Sequence, residues 1–197
     1  MARTKPKERA RDRVLSDDEL RRVWKQAEAN GVFGALIRFI LLTAARRSEA
    51  SELRWSEIRS GVWTLAAERN KTKVDLVRPL SKAALMVLPD CGCEWVFAVD
   101  GKPITAFSRF KEEFDKACGV SDYVLHDLRR TSRSLMSRAG VDADIAERCL
   151  GHAIPGVRSV YDRHEYYAEK ARAYEALASQ IDRIIRPRAN VVGIKGR

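Results

Sequence analysis

The sequence predicts a mainly α protein with a small antiparallel β-sheet, an α+β arrangement built from 197 residues. Apolar residues recur at helical spacing through most of the chain. Capping residues and glycines stand where those periodic segments start and stop. Only two short runs rich in β-formers, Val62–Leu65 and Leu76–Leu80, interrupt the pattern, and a polar stretch separates them.

Ser16-Asp17-Asp18-Glu19 is a capping box that opens a helix with Leu20, Val23, Trp24 and Ala27 on one face and Gly31 past its end. A more apolar helix follows, carrying Phe33, Leu36, Ile37, Ile40 and Leu41 to the junction Thr43-Ala44-Ala45-Arg46, and Glu49 to Leu53 resumes the helix. The two β runs form a hairpin whose tip, Glu68 to Asp75, holds Arg69, Lys71 and Lys73. Ser81 caps a helix to about Leu88. Cys91 to Asp100 is a loop that could hold a strand, Trp95–Val99. Thr105 begins a helix with Phe107, Phe110 and Phe114 facing inward, and Gly119 stops it. Three more helices are predicted over about 126–139, 142–150 and 156–184, the last with a possible break near Tyr161. The tryptophans (Trp24, Trp55, Trp63, Trp95) and most phenylalanines are expected in the core.

Hydrophobic residues at 45% and charged residues at 32% exclude disorder along the whole chain. Arg38 interrupts the best apolar run, Val32 to Ala45, so no stretch approaches the roughly 20 apolar residues of a membrane span. Four scattered cysteines are too few for a disulfide framework, and Cys91-Gly-Cys93 has no second pair at zinc-ligand spacing. An intracellular, cytoplasmic address is expected. The net charge of +10 is concentrated at the ends: residues 1–13 carry six basic and two acidic residues, and residues 183–197 carry five basic and none acidic. Basic ends on a nearly neutral body suit a polyanion, although charge alone is equally compatible with solubility.

Two segments gather the residue types that phosphoryl chemistry needs. In Thr43-Ala44-Ala45-Arg46-Arg47-Ser48-Glu49, a buried helix ends in two arginines and a glutamate, and Glu49 can pair with Arg46 one turn away. In His126-Asp127-Leu128-Arg129-Arg130-Thr131, His126 and Arg129 share a helix face, and Leu150-Gly151-His152 follows. Tyr161 lies nine residues past His152, with Tyr166 its main competitor for the same part. Guanidinium forks match the non-bridging oxygens of a phosphodiester, tyrosine can form a covalent ester, histidine moves protons near neutral pH and lysine can protonate a leaving alkoxide.

These motifs, together with Leu53-Arg54-Trp55 and the Lys71 hairpin running into Pro79-Leu80-Ser81, resemble the tyrosine recombinases, the phage-type integrases, and in particular their C-terminal catalytic domain. The likeness runs from about Leu15 to Leu177. It implies the integrase catalytic-domain fold over 15–185, with 1–14 a basic linker or arm and 186–197 a basic tail. It implies Arg46 and Arg129 as a phosphate clamp, Lys71 as general acid, Tyr161 as nucleophile, and His126 and His152 as proton-handling, phosphate-contacting groups. The activity implied is cleavage and rejoining of DNA through a covalent 3′-phosphotyrosine, with no metal, ATP or other cofactor. Double-stranded DNA would be the partner, bound by a homo-tetramer that exchanges C-terminal segments, with accessory DNA-bending or directionality proteins and no membrane. A type IB-like topoisomerase, or a catalytically inactive DNA-binding module of the same fold, are the alternatives. Two departures stand out. Ala44 occupies a usual glycine, read as a tight helix approach, and Arg78 precedes Pro79 where an apolar residue is common. The second leaves the hairpin register, and hence Lys71 against Lys73, open.

Overall fold

Ser16 opens the first helix as the capping box requires, its hydroxyl accepting the Glu19 N–H while the Glu19 carboxylate accepts the Ser16 N–H, in a computed structural model that describes residues 12–90, 92–152 and 165–187. That helix, α1 (Asp17–Ala29), turns through Asn30 directly into α2 (Gly31–Thr43). So short a link forces the two helices together. A Cβ at Gly34 would run into the Ala27 carbonyl, so only glycine permits this approach. Gly34→Ala is expected to destabilise the fold by about 2–3 kcal/mol through overpacking. A urea-unfolding midpoint equal to that of the parent would refute this.

The α2 helix is buried nearly all round, through Phe33, Leu36, Ile37, Phe39, Ile40, Leu41 and Leu42, and it forms the spine of the molecule. Around it pack α1, the short α3 (Arg47–Ser51) and α4 (Lys82–Met86), α6 (Leu125–Arg138) and α8 (Tyr167–Ile185). α5 (Phe107–Cys118) rests on α1, and α7 (Ala143–Leu150) on α6 and α8. The three-stranded antiparallel sheet runs β1 (Ile58–Arg59), β2 (Val62–Leu65), β3 (Leu76–Pro79), with Trp63 opposite Arg78 and Leu65 opposite Leu76. The fully buried Trp63 locks it to the spine, its ring centroid 5.6 Å from that of Phe39, which in turn lies 5.3 Å from Phe97. At the other edge the buried Lys170 of α8 donates to the Val77 carbonyl at 3.0 Å, and burial pushes that ammonium's pKa down.

The mainly α architecture with small antiparallel sheets agrees with the sequence reading, and the differences are local. Strand β1 was not anticipated, because two residues carry no readable period. The Trp95–Val99 run shrinks to β4 (Ala98–Val99), paired with β5 (Lys102–Pro103) across a tight turn at Asp100 and Gly101, both at positive φ. Trp95 forms an isolated bridge with Arg54, whose guanidinium covers its ring. Of the three phenylalanines of α5 only Phe114 is fully buried. Phe110 stacks on Phe33 at 5.5 Å, and half-buried Phe107 lies under the Arg47 guanidinium. α8 runs from Tyr167 to Ile185, and the earlier part of the predicted helix, residues 156–164, lies outside the described residues. No described helix is long and apolar enough to cross a membrane.

Candidate active site

Four of the six residues singled out in the sequence meet where the C-terminal ends of α2 and α7 approach the start of α6. A helix end leaves its last carbonyls without partners, and Arg129, on α6, supplies them. Its Nη1 donates to the Ala44 carbonyl at 2.7 Å and its Nη2 to the Leu150 carbonyl at 2.8 Å. One guanidinium therefore satisfies two helix termini and sits at the negative end of both dipoles. Ala44 can present its carbonyl because it is left-handed, at φ 52°. That conformation, rather than a close helix approach, is the reason a glycine would suit this position.

Arg129 also faces His152, with Nη2 3.0 Å from Nε2. A guanidinium can only donate, so Nε2 accepts, and the ring proton sits on Nδ1, directed at Glu147 Oε2 2.6 Å away. Arg133 holds the other Glu147 oxygen at 2.8 Å. Burial alone would raise the Glu147 pKa, but the bonds from Arg133 and His152 outweigh it and hold the carboxyl below its ordinary value. The position of His152 depends on Gly151, left-handed at φ 70°, where any Cβ would meet the Leu76 side chain of β3. Gly151 thus brings the hairpin base beside His152.

Arg46, at the N-cap of α3, is held as its spacing from Glu49 suggested. Glu49 takes the Arg46 side chain on Oε1 at 2.5 Å and the Arg46 N–H on Oε2 at 3.1 Å. Arg78 adds a bond to Oε2 at 2.6 Å. Burial would raise the Glu49 pKa, yet the charges of Arg78 and Arg46 prevail and keep the carboxylate ionised. Arg69, at the base of the hairpin loop, pairs with Glu57 and donates to the Glu49 carbonyl at 3.2 Å.

Among the described residues these cations outnumber the anions that serve them. Burial, with the nearby charges of Arg46 and Arg78, pushes the Arg129 pKa down to about 9. An oxyanion bound there would relieve that repulsion, because it brings charge of the missing sign. His126 stands exposed on the first turn of α6, and partial desolvation with the charges of Arg130 and Arg129 lowers its pKa, which favours the neutral ring. The neighbouring Asp127 is buried, capping the Val124 N–H at 2.9 Å and pairing with Arg130 at 2.5 Å. Arg46 and His126 share a cavity of about 520 Å³, and His126, Arg129 and His152 share one of about 390 Å³. The two openings meet at His126 and form one cationic surface.

Lys71 stands apart, exposed at the tip of the hairpin loop. The register Val62↔Pro79 through Leu65↔Leu76 fixes the loop as residues 66–75. Asn70 braces it from inside through a bond from Nδ2 to the Val74 carbonyl at 2.6 Å. Between loop, α7 end and α8 start lies a cavity of about 550 Å³ bordered by Thr72, Asp75, Gly151 and His152. Tyr161 lies outside the described residues. Three site-supporting residues escaped the sequence reading as such: Glu147, Arg69 and Arg78. Only Arg78 left a signal, as a charge in a strand position expected to be apolar. Among the described residues no group of three or more His, Cys, Asp or Glu gathers at metal-binding distance.

Residues 13–167 match the profile of the Phage integrase family. The chain is 30% identical over 145 residues to Prophage integrase IntA of Escherichia coli, which covers 68% of this chain and 35% of that protein. It is 28% identical over 165 residues to Prophage integrase IntZ of the same organism, covering 78% and 40%. The chain therefore spans well under half the length of these relatives. Among solved structures, the lambda integrase catalytic core superposes with a TM-score of 0.59 at 25% identity, over 71% of this chain and 94% of that one. A lambda integrase tetramer bound to a Holliday junction gives 0.60 at 24% identity, over 72% and 47%.

Proposed function

This chain belongs to the phage integrase family, the tyrosine recombinases, and we propose that it carries the chemistry of one: cleavage and rejoining of double-stranded DNA through a 3′-phosphotyrosyl intermediate. The observation that carries the reading is the gathering of Arg46, His126 and His152 along two joined cavities with the buried guanidinium of Arg129 lining one of them. In the first step the Tyr161 oxygen bonds to the scissile phosphorus and the bond to the 5′-oxygen breaks. Neutral His126 is suited to take the phenolic proton, and Lys71 gives a proton to the leaving 5′-oxygen. Arg46 and Arg129 stabilise the charge that gathers on the non-bridging oxygens. In the second step a 5′-hydroxyl of the partner duplex attacks the phosphotyrosine and the phenol regains its proton. Bond energy is kept in the ester, so no nucleotide is consumed. Assembly as a tetramer on paired sites is part of the same proposal, drawn from the likeness to the junction-bound lambda integrase.

A nicked suicide substrate tests the reading directly, since loss of the short 5′-hydroxyl strand traps the covalent adduct and peptide mapping identifies its residue. Trapped adduct on Tyr161 is expected; failure to trap any would overturn the proposal. Excess EDTA is expected to leave the trapping rate unchanged, because the charge stabilisation invoked comes from two guanidiniums. Cleavage that disappears in EDTA and returns with magnesium would point to a different mechanism. Glu147→Gln is expected to slow trapping about 10- to 100-fold, the usual cost of losing an outer partner that orients a functional histidine. An unaltered single-turnover rate would show that the Glu147–His152 contact has no part in the step.

A further inference from the structure

Arg78 is costly to the fold and its burial calls for a reason. It has no exposed surface, its guanidinium stacks on the Trp63 ring at 4.5 Å, and its Nε and Nη1 are buried without a hydrogen-bond partner among the described residues. Among the described residues its one charged partner is Glu49 Oε2, at 2.6 Å. A buried charge with unsatisfied donors contributes little to stability, and apolar replacements at such places are often neutral or stabilising.

The reason lies in what Glu49 does to Arg46. With Arg46 alone the buried carboxylate would form a neutral pair, and the field that Arg46 offers an anion would be largely cancelled. With Arg78 on its second oxygen, one carboxylate serves two guanidiniums and the group carries a net charge of +1. We propose that Arg78 is a positioning residue for charge: by occupying Glu49 from behind, it leaves the positive charge of Arg46 available to the scissile phosphate. Arg78 touches no substrate itself and acts through Glu49. This rests on the phosphate site proposed above.

The test measures charge at one phosphate without requiring cleavage. In a Tyr161→Phe background, the affinity for a duplex with an ordinary scissile phosphate is compared with that for the same duplex carrying a neutral methylphosphonate there. The ratio reports how much the protein gains from that single negative charge. Arg78→Met is expected to shrink the ratio about tenfold, the lower end for removing an outer partner of a functional ligand. Arg78→Lys, which keeps the charge, is expected to retain most of it. The decisive variant is Arg78→Met with Glu49→Gln, because removing both charges restores the net +1 of the group and is expected to restore the ratio.

A ratio in Arg78→Met equal to that of the parent overturns the proposal. So does an equal weakening of both duplexes, or a lowered melting temperature with the ratio intact, since either assigns Arg78 a structural role alone. Failure of the double variant to recover any discrimination overturns it as well. Failure of the phosphate site itself looks different: the parent would then bind the two duplexes equally.

Discussion

Tyr161→Phe is expected to bind duplex DNA as the parent does and to form no covalent adduct on a nicked suicide substrate, whereas Tyr166→Phe still forms it. Loss of a covalent nucleophile costs on the order of a millionfold, so the adduct should vanish from a denaturing gel. The other four tyrosines occupy environments that suit the role poorly. Tyr174 is buried in α8, donates its hydroxyl to the Cys149 carbonyl at 2.8 Å, and burial holds its pKa well above the ordinary value. Tyr123 is buried as well, with the Lys111 ammonium 3.5 Å from its ring centre, and desolvation raises its pKa strongly. Tyr167 is exposed on the first turn of α8. Tyr166 is the real rival. It is half-buried at the N-cap of α8, left-handed at φ 52°, with the Arg148 guanidinium over its ring at 3.9 Å. A ring clamped by a cation at a strained helix start is badly placed to swing toward a phosphate. Tyr161 lies outside the described residues, and its assignment rests on its place nine residues past His152 and on the family likeness. An adduct peptide containing Tyr166 in place of Tyr161 would overturn the assignment.

What the sequence disclosed and what it withheld divide along the range of the interactions. Local signals were legible. The Ser16–Glu19 capping box, the left-handed stops at Gly119 and Gly151, and the three-residue step from Arg46 to Glu49 each involve neighbours, and each appears in the structure as read. The motifs also pointed to four residues that folding brings together, Arg46, His126, Arg129 and His152, of which only His152 follows a glycine stop. Contacts between distant segments were not legible. Nothing near Glu147 announces that it will meet both Arg133 and His152. The left-handed turn at Ala44 is dictated by how α2 must present its last carbonyl to Arg129, 85 positions away. Arg78 could be seen as unusual from its neighbours, yet its partner Glu49 lies 29 residues back and only folding joins them. The hairpin register, open in the sequence because of Arg78, is settled by burial: Trp63 and Leu65 of β2 point inward opposite Arg78 and Leu76.

With that register in place, Lys71→Ala is expected to cleave ordinary DNA about 10²- to 10⁴-fold more slowly than the parent, the usual worth of a positioned general acid. The same variant should recover to near the parental rate on DNA with sulfur at the scissile 5′ bridging position. The reason is the leaving group. An alkoxide leaves badly because its conjugate acid titrates near water, about 15.7. A thiolate departs without a proton donor, since thiols titrate near about 8.5. Rescue by sulfur therefore isolates proton delivery from every other service a cation could perform. Arg129→Ala should show no rescue, because its guanidinium serves non-bridging charge and two helix-end carbonyls that the sulfur leaves unchanged. Lys73→Ala is the internal control. Lys73 is left-handed at φ 56° and its ammonium turns back to the Glu68 carbonyl at 3.4 Å, which commits it to its own loop. Lys71 stands exposed at the same tip, where a short movement of the hairpin could carry it over a bound strand. If Lys73→Ala proves to be the rescued variant, the acid is Lys73. If neither is rescued, the hairpin lysine binds phosphate and the proton reaches the 5′-oxygen by another route.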